Sequence, residues 1–197
     1  MKQSTRKKRE KLTPHLVDYS SIYTEQDYAS NDGMLTTVWG PPMWHVLHTM
    51  SFNYPVSPSE KQKKKYYGFI KSLLYVLPCG KCRENLKINF KKLPLSMKHL
   101  KSRQTLSRYV YDLHELINTM LGKKSGLSFD KVRERYEHFR SRCKTARNRI
   151  KKKILEKGCT EPLVGVKAKC VLQILPNSTK CDTFQIDKTC EKVRTNI

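Results

Sequence analysis

The chain has 197 residues, with 40 Lys and Arg against 17 Asp and Glu, a net charge of +23. That length suits one domain of ordinary size with extensions, and no apolar run approaches the roughly 20 residues of a membrane span. Residues Met1 to Lys11 are basic with no apolar stretch behind them, so neither a secretory signal nor a mitochondrial transit peptide is expected and the chain reads as a soluble one. A field this positive draws polyanions, but the lysines and arginines are spread along the chain. No reading helix, zinc-finger spacing or RNP-like aromatic pattern lies among them, so contact with nucleic acid is expected only through non-specific charge.

Residues 1–37 are polar and basic without a sustained period and read as a flexible extension, with a turn signal at Asn31-Asp32-Gly33. Trp39-Gly40-Pro41-Pro42 reads as a turn launching a helix, whose apolar positions Met43, Val46, Leu47 and Met50 recur at helical spacing. Trp44 and His48, four apart, share one side of it, and Tyr54-Pro55 ends it. Ser57-Pro58-Ser59-Glu60 has the form of a capping box with proline in the first turn. The second helix carries Tyr66, Phe69, Ile70, Leu73, Leu74 and Leu77 toward a core, with lysines opposite.

A third helix runs through Leu86 and Phe90 and stops before Leu93-Pro94. The fourth, from about Arg103 to Leu121, is the best patterned and has Gly122 as its C-terminal stop. A shorter fifth begins after Ser128, with Val132, Tyr136, Phe139 and Cys143 facing inward. The expected fold is an all-α core, a four-helix bundle plus a short fifth helix. Residues 144–157 form a basic linker or helix extension. From Val164 to Ile174 apolar residues alternate, and Phe184 and Ile186 repeat the pattern, so 158–197 is expected to be a small C-terminal β appendage.

Seven cysteines are many for a chain without an export signal, and an odd number leaves one free or shared. Five of them, Cys143, Cys159, Cys170, Cys181 and Cys190, lie toward the C-terminus, bonded to one another or left exchangeable. The other two stand in Leu77-Pro78-Cys79-Gly80-Lys81-Cys82, at the expected start of the third helix. Cysteines so spaced on a first turn can close a disulfide, share a zinc ion or sit inert in a core. The positive end of the helix dipole and Lys81 favour thiolate there. Thioredoxin is excluded, because the element leading into this motif has period 3.6 where that fold needs a strand. Elsewhere His114 and Asn118 share one face of the fourth helix, with Gly122-Lys123-Lys124 at its end. Each taken singly has a bland structural reading. Together two tryptophans, two histidines, an amide and paired lysines suit a planar ring system carrying phosphates, which stacks, hydrogen-bonds and is neutralised in turn.

Trp39-Gly40-Pro41, Trp44-x-x-Leu47-His48, Tyr54-Pro55, Pro78-Cys79-x-x-Cys82 and His114-x-x-Ile117-Asn118-x-x-Leu121-Gly122-Lys123 are similar, in order and interval, to the Erv/ALR flavin-linked sulfhydryl oxidases. The resemblance covers about residues 38 to 140 and implies an FAD-binding helical-bundle domain at 38–143, usually a homodimer. Such a domain passes electrons from protein dithiols through a cysteine pair and flavin to molecular oxygen, giving disulfides and hydrogen peroxide. It implies Cys79 as the sulfur that exchanges with the incoming dithiol and Cys82 as the one beside the isoalloxazine. It implies Trp44, His48, His114, Ile117, Asn118, Leu121 and Lys123 as cofactor-binding, with Trp39 and Gly40 shaping the entry of the first helix. Tyr136 stands where relatives carry a tryptophan near the adenine. The basic chain with a long tail looks most like members encoded by large DNA viruses, which implies the host cytoplasm or the virion.

Leu77 and Glu115 depart from the residues common in that family, the bracing disulfide of many relatives has no counterpart, and no second Cys-x-x-Cys or Cys-x-Cys exists outside the motif. The last point also weighs against the alternative of a zinc-binding structural or nucleic-acid-associated module, which needs a second close ligand pair. An inactive virion scaffold is the other alternative, and it would be expected to have lost a cysteine or histidine of the set.

Overall fold

The computed structural model describes residues 23–141, 159, 162–163, 165–181 and 184–191. Residues up to Asp32 and those from Gly33 onward form two units. In the first, a four-residue helix, α1 (Glu25–Tyr28), forms where an unstructured extension was expected. Thr24 caps it by a reciprocal bond pattern with Asp27.

The second unit is built from α2 (Thr36–Phe52), α3 (Glu60–Val76), α4 (Gly80–Lys92), α5 (Arg103–Met120) and α6 (Phe129–Glu137), with a 3₁₀ turn at Met97–Leu100. Helix α5 shows why the bundle forms: Leu106, Tyr109, Val110 and Leu113 recur on one face and are all buried. Ser102 caps its start by accepting from the Thr105 amide. At its other end Gly122 takes φ +67°, which a side chain rarely adopts, and lets the Lys123 amide reach back to the Asn118 carbonyl at 2.8 Å. Helix α2 lies along α5, α3 packs on α4 and the 3₁₀ turn, and α6 closes over α2. Tyr54 and Tyr109 are buried to their hydroxyls, which donate to the carbonyls of Leu100 and Leu93 at 3.0 and 3.1 Å. Each such bond is worth about 1 kcal/mol and leaves no orphaned hydroxyl in the core.

Two local readings shift. Helix α2 begins at Thr36, so Trp39-Gly40-Pro41-Pro42 is helix and not a turn before it. The prolines deprive the Thr37 and Val38 carbonyls of their amide donors, which is tolerable because Thr37 is exposed and Val38 only half-buried at the helix edge. Helix α3 is capped by Ser59 with Gln62, two residues later than the Ser57 box suggests.

The β appendage is a correction. Among the described residues from 159 on there is no strand, only an isolated bridge between Ser141 and Pro162 and a 3₁₀ turn at Lys188–Cys190. Alternation makes a strand only when a partner takes up its backbone groups and one face is covered. Here Val166, Val171, Leu172 and Ile174 are all exposed. The tail instead meets the bundle through single contacts, the Leu163 amide on the Arg140 carbonyl and the Phe184 ring against His45, Tyr136 and Phe139. Cys170 and Cys181 are exposed thiols and Cys190 a half-buried one. Cys143 and residues 144–157 lie outside the described residues.

Candidate functional site

Cys79 and Cys82 are joined by a disulfide with their Cα atoms 5.2 Å apart. Helix α4 starts at Gly80, so Cys79 is its N-cap and its Sγ accepts from the Cys82 amide at 3.1 Å. Pro78 precedes the cap. Its carbonyl accepts from the Met34 amide at 2.8 Å, drawing residues 33–36 across the motif as a strap. Gly33 permits this, because a Cβ there would stand 3.1 Å from the Pro78 oxygen and 3.2 Å from the Cys79 Cα. The indole Nε1 of Trp39 donates to the Met34 carbonyl at 3.0 Å and holds the strap from the α2 side. Thr36 Oγ1 lies 3.5 Å from Cys82 Sγ.

The rings singled out in the sequence meet where α2, α5 and α6 converge. Trp44 stacks on His114 with centroids 3.9 Å apart and planes 7° from parallel. His48, 4% exposed, places Nε2 3.0 Å from His114 Nδ1, and its own Nδ1 is buried without a hydrogen-bond partner. Tyr136 crosses from α6 to stack over His48 and Phe52. Burial, reinforced by the nearby His114 and His45, lowers the His48 pKa to about 3. His114 falls to about 4, chiefly by burial and partly offset by Glu115. Both imidazoles are therefore neutral near pH 7, and one donates its single N–H to the other. Burial likewise pushes the Tyr136 hydroxyl up, so it stays protonated.

At the end of α5, Ile117 packs on the core, and Asn118 is half-buried and donates from Nδ2 to Glu115 Oε1 at 2.9 Å. Leu121 and Lys123 are exposed. Lys123 nevertheless bears on His114, whose proton its charge opposes. The structure thus joins Trp44, His48, His114 and Tyr136 in one aromatic cluster and strings Asn118 and Lys123 along its α5 edge. Trp39 turns its indole N–H to the strap, and Gly40 is buried within α2, where a Cβ would meet only Thr36 of the same helix. Sequence reading missed Phe52, one turn beyond His48, and His45, which packs against Tyr136. Four-residue spacing from His48 signals the first. It also missed Gly33 and Thr36, for which no local pattern gives a sign.

A helical bundle that carries a Cys-x-x-Cys disulfide at a helix start, with stacked rings around a neutral histidine pair, defines the class. Residues 41–137 match the model of the Erv1 / Alr family. A protein of Acanthamoeba polyphaga mimivirus named as an FAD-linked sulfhydryl oxidase is 42% identical over 86 residues, covering 44% of this chain and 60% of its own length. One of Invertebrate iridescent virus 6 whose name carries the same activity is 26% identical over 90 residues, covering 44% of this chain and 81% of its own. The mitochondrial FAD-linked sulfhydryl oxidase of Schizosaccharomyces pombe is 31% identical over 84 residues, covering 43% of this chain and 46% of its own. The matched segment thus spans about half of the mimivirus and fission-yeast proteins.

Proposed function

We propose that residues 38–143 form an FAD-dependent thiol oxidase domain that converts dithiols in protein substrates to disulfides and reduces molecular oxygen to hydrogen peroxide. The observation that carries this reading is the Cys79–Cys82 disulfide at the start of α4. A bonded pair has no thiolate to give a metal, which disfavours the zinc alternative. The relatives named as FAD-linked sulfhydryl oxidases support it.

The residues present fit FAD. The unpartnered Nδ1 of His48 is a buried polar atom wanting a hydrogen bond. Trp44, His114 and Tyr136 offer flat half-buried faces, and Lys123 supplies an exposed positive charge for phosphates. When bound, FAD supplies the two-electron acceptor that takes electrons from the cysteine pair and delivers them to oxygen. The protein's own chemistry is disulfide exchange. A substrate thiolate bonds to Cys79 Sγ while the Cys79–Cys82 bond breaks and Cys82 leaves as thiolate, near Thr36 Oγ1 and the amide end of α4. A second substrate thiolate then attacks the mixed disulfide, releasing the substrate disulfide and reduced Cys79. The assignment of Cys79 as the exchanging sulfur and Cys82 as the flavin-side sulfur belongs to this reading. So do cofactor contacts by Trp39, Gly40, Ile117, Asn118 and Leu121.

A homodimer joins the reading, supported by exposed Val46 and Phe69 on α2 and α3. Action on virion proteins in host cytoplasm or in the virion is supported by the two viral relatives. Among the described residues no helix is long and apolar enough to cross a membrane. Purified protein is expected to be yellow, to consume oxygen when given dithiothreitol and to release hydrogen peroxide. Cys82→Ser is expected to abolish turnover while keeping bound flavin. A colourless preparation with stoichiometric zinc would refute the reading.

A further inference from the structure

Lys81 and Arg83 both carry charge at the start of α4, but only one of them is held against the cysteine motif. Lys81 is exposed and paired with an exposed Glu84 at 3.1 Å, so solvent and partner screen it. Arg83, one turn beyond Cys79, is half-buried. Its amide closes the first helical bond on the Cys79 carbonyl at 3.1 Å. Its guanidinium turns back over the helix start and donates from Nη1 to the Leu77 carbonyl. That same oxygen accepts from the Cys79 amide at 2.8 Å. The other nitrogen, Nη2, lies 3.6 Å from where a Cβ on Gly80 would stand. The guanidinium therefore covers the turn Leu77–Gly80 that carries Cys79, and among the described residues no carboxylate pairs with it. The strap, Gly33 to Thr36, has no ionisable side chain, and the last turn of α3 brings only the exposed Tyr75.

Resting on the oxidase reading, we infer that Arg83 is a positioning residue for disulfide exchange, holding the turn that carries Cys79 and stabilising the thiolate that Cys79 becomes when it leaves the mixed disulfide. In that step the second substrate thiolate attacks the substrate sulfur of the mixed disulfide. A substrate disulfide forms, the bond to Cys79 breaks, and its electron pair stays on Cys79 Sγ. The helix start already favours negative charge there, since the Cys82 amide donates to Cys79 Sγ at 3.1 Å. Arg83 adds a full positive charge within two hydrogen bonds of the Cys79 backbone. A stabilised thiolate leaves faster, and it makes the disulfide a stronger oxidant because the reduced form gains. The charge that the sequence places at Lys81 is thus supplied in the fold by Arg83. A guanidinium suits this place, because its planar fork reaches the Leu77 carbonyl and the space beside Gly80 at once.

The test uses the full flavin-loaded chain and two variants. Arg83→Gln keeps a donor for the Leu77 carbonyl without the charge, and Arg83→Lys keeps the charge without the fork. Two quantities are read in the absence of oxygen. The first is the pH midpoint for alkylation of reduced Cys79 by iodoacetamide, resolved from the tail cysteines by peptide mass. The second is the fraction of Cys79–Cys82 disulfide at equilibrium with reduced and oxidised glutathione. Arg83→Gln is expected to raise the midpoint by about one unit. At a pH above both midpoints it should lower the equilibrium constant for oxidising glutathione about tenfold, or ~30 mV. Arg83→Lys should recover most of both changes. Since both variants retain a donor, their melting temperatures should stay close to wild type, which checks that they fold. A midpoint for Arg83→Gln within about 0.2 unit of wild type overturns the proposal, whether or not the melting temperature falls. Equal shifts in the two variants also overturn it, because the charge would not then be the cause. Failure of wild type to oxidise dithiothreitol in air strikes the oxidase reading itself and the leaving step with it, whereas the two readouts above need no oxygen and judge Arg83 alone.

Discussion

Lowering the pH from about 7.5 to about 5 should destabilise this protein through the His48–His114 pair, and replacing His114 by Gln should remove a measurable part of that loss. In the folded chain burial holds the His114 pKa at about 4 against an ordinary 6.5. The unfolded chain therefore takes up a proton below pH 6.5 that the folded one refuses. The stability that this group contributes is complete above its unfolded pKa and drains away as pH falls toward 4. One pKa unit corresponds to 1.36 kcal/mol, so a gap of about 1.5 units at pH 5 is worth about 2 kcal/mol. His48, lowered further, adds a loss of similar sign that both proteins retain. The lowered values of His45 and His99 are also common to the two. The assay is urea unfolding followed by tryptophan fluorescence at both pH values, for wild type and His114→Gln. Glutamine can still hydrogen-bond to His48 Nε2 but does not titrate. Wild type should lose about 2 kcal/mol more than the variant between the two pH values. Parallel losses would refute the claim that His114 is held neutral by burial.

Two further outcomes test the scaffold around the site. Leu106 is 1% exposed on the face of α5 that meets α2, so Leu106→Ala should cost about 2–5 kcal/mol in the same titration; a cost under about 1 kcal/mol would mean that the α2–α5 contact is not the core of the bundle. Gly33→Ala places a methyl against the Pro78 carbonyl and the Cys79 backbone, which should lift the strap, lower stability by about 1 kcal/mol and speed reduction of the disulfide by excess dithiothreitol. Unchanged melting temperature and reduction rate would show that the strap does not bear on the cysteine pair.

The helices were legible because each carries an apolar stripe of its own. Leu106, Tyr109, Val110 and Leu113 name the inner face of α5 without reference to any other segment, and Ser128 and Gly122 mark ends by short-range hydrogen bonding and backbone freedom. Legibility failed where the outcome depends on what lies opposite. Pro41 and Pro42 look like a break, yet the helix runs through them because its edge is open to solvent there. Val166, Leu172 and Ile174 look like a strand, and among the described residues no strand comes to pair with them. Phe69 belongs to the stripe of α3 that reads as core, and only the packing of the helix leaves it outside.

By itself, then, the sequence settled what is local: a cysteine pair at a helix start, Trp44 one turn before His48, and His114 one turn before Asn118. That His48 meets His114 across 66 positions, that Tyr136 lies over His48, and that Gly33 brings a strap so close that a Cβ on it would stand 3.2 Å from the Cys79 Cα were decided by tertiary packing alone. The reason is physical. Helical geometry ties a side chain to neighbours three and four places away, whereas the distance between two helices is set by the volumes of every side chain buried between them.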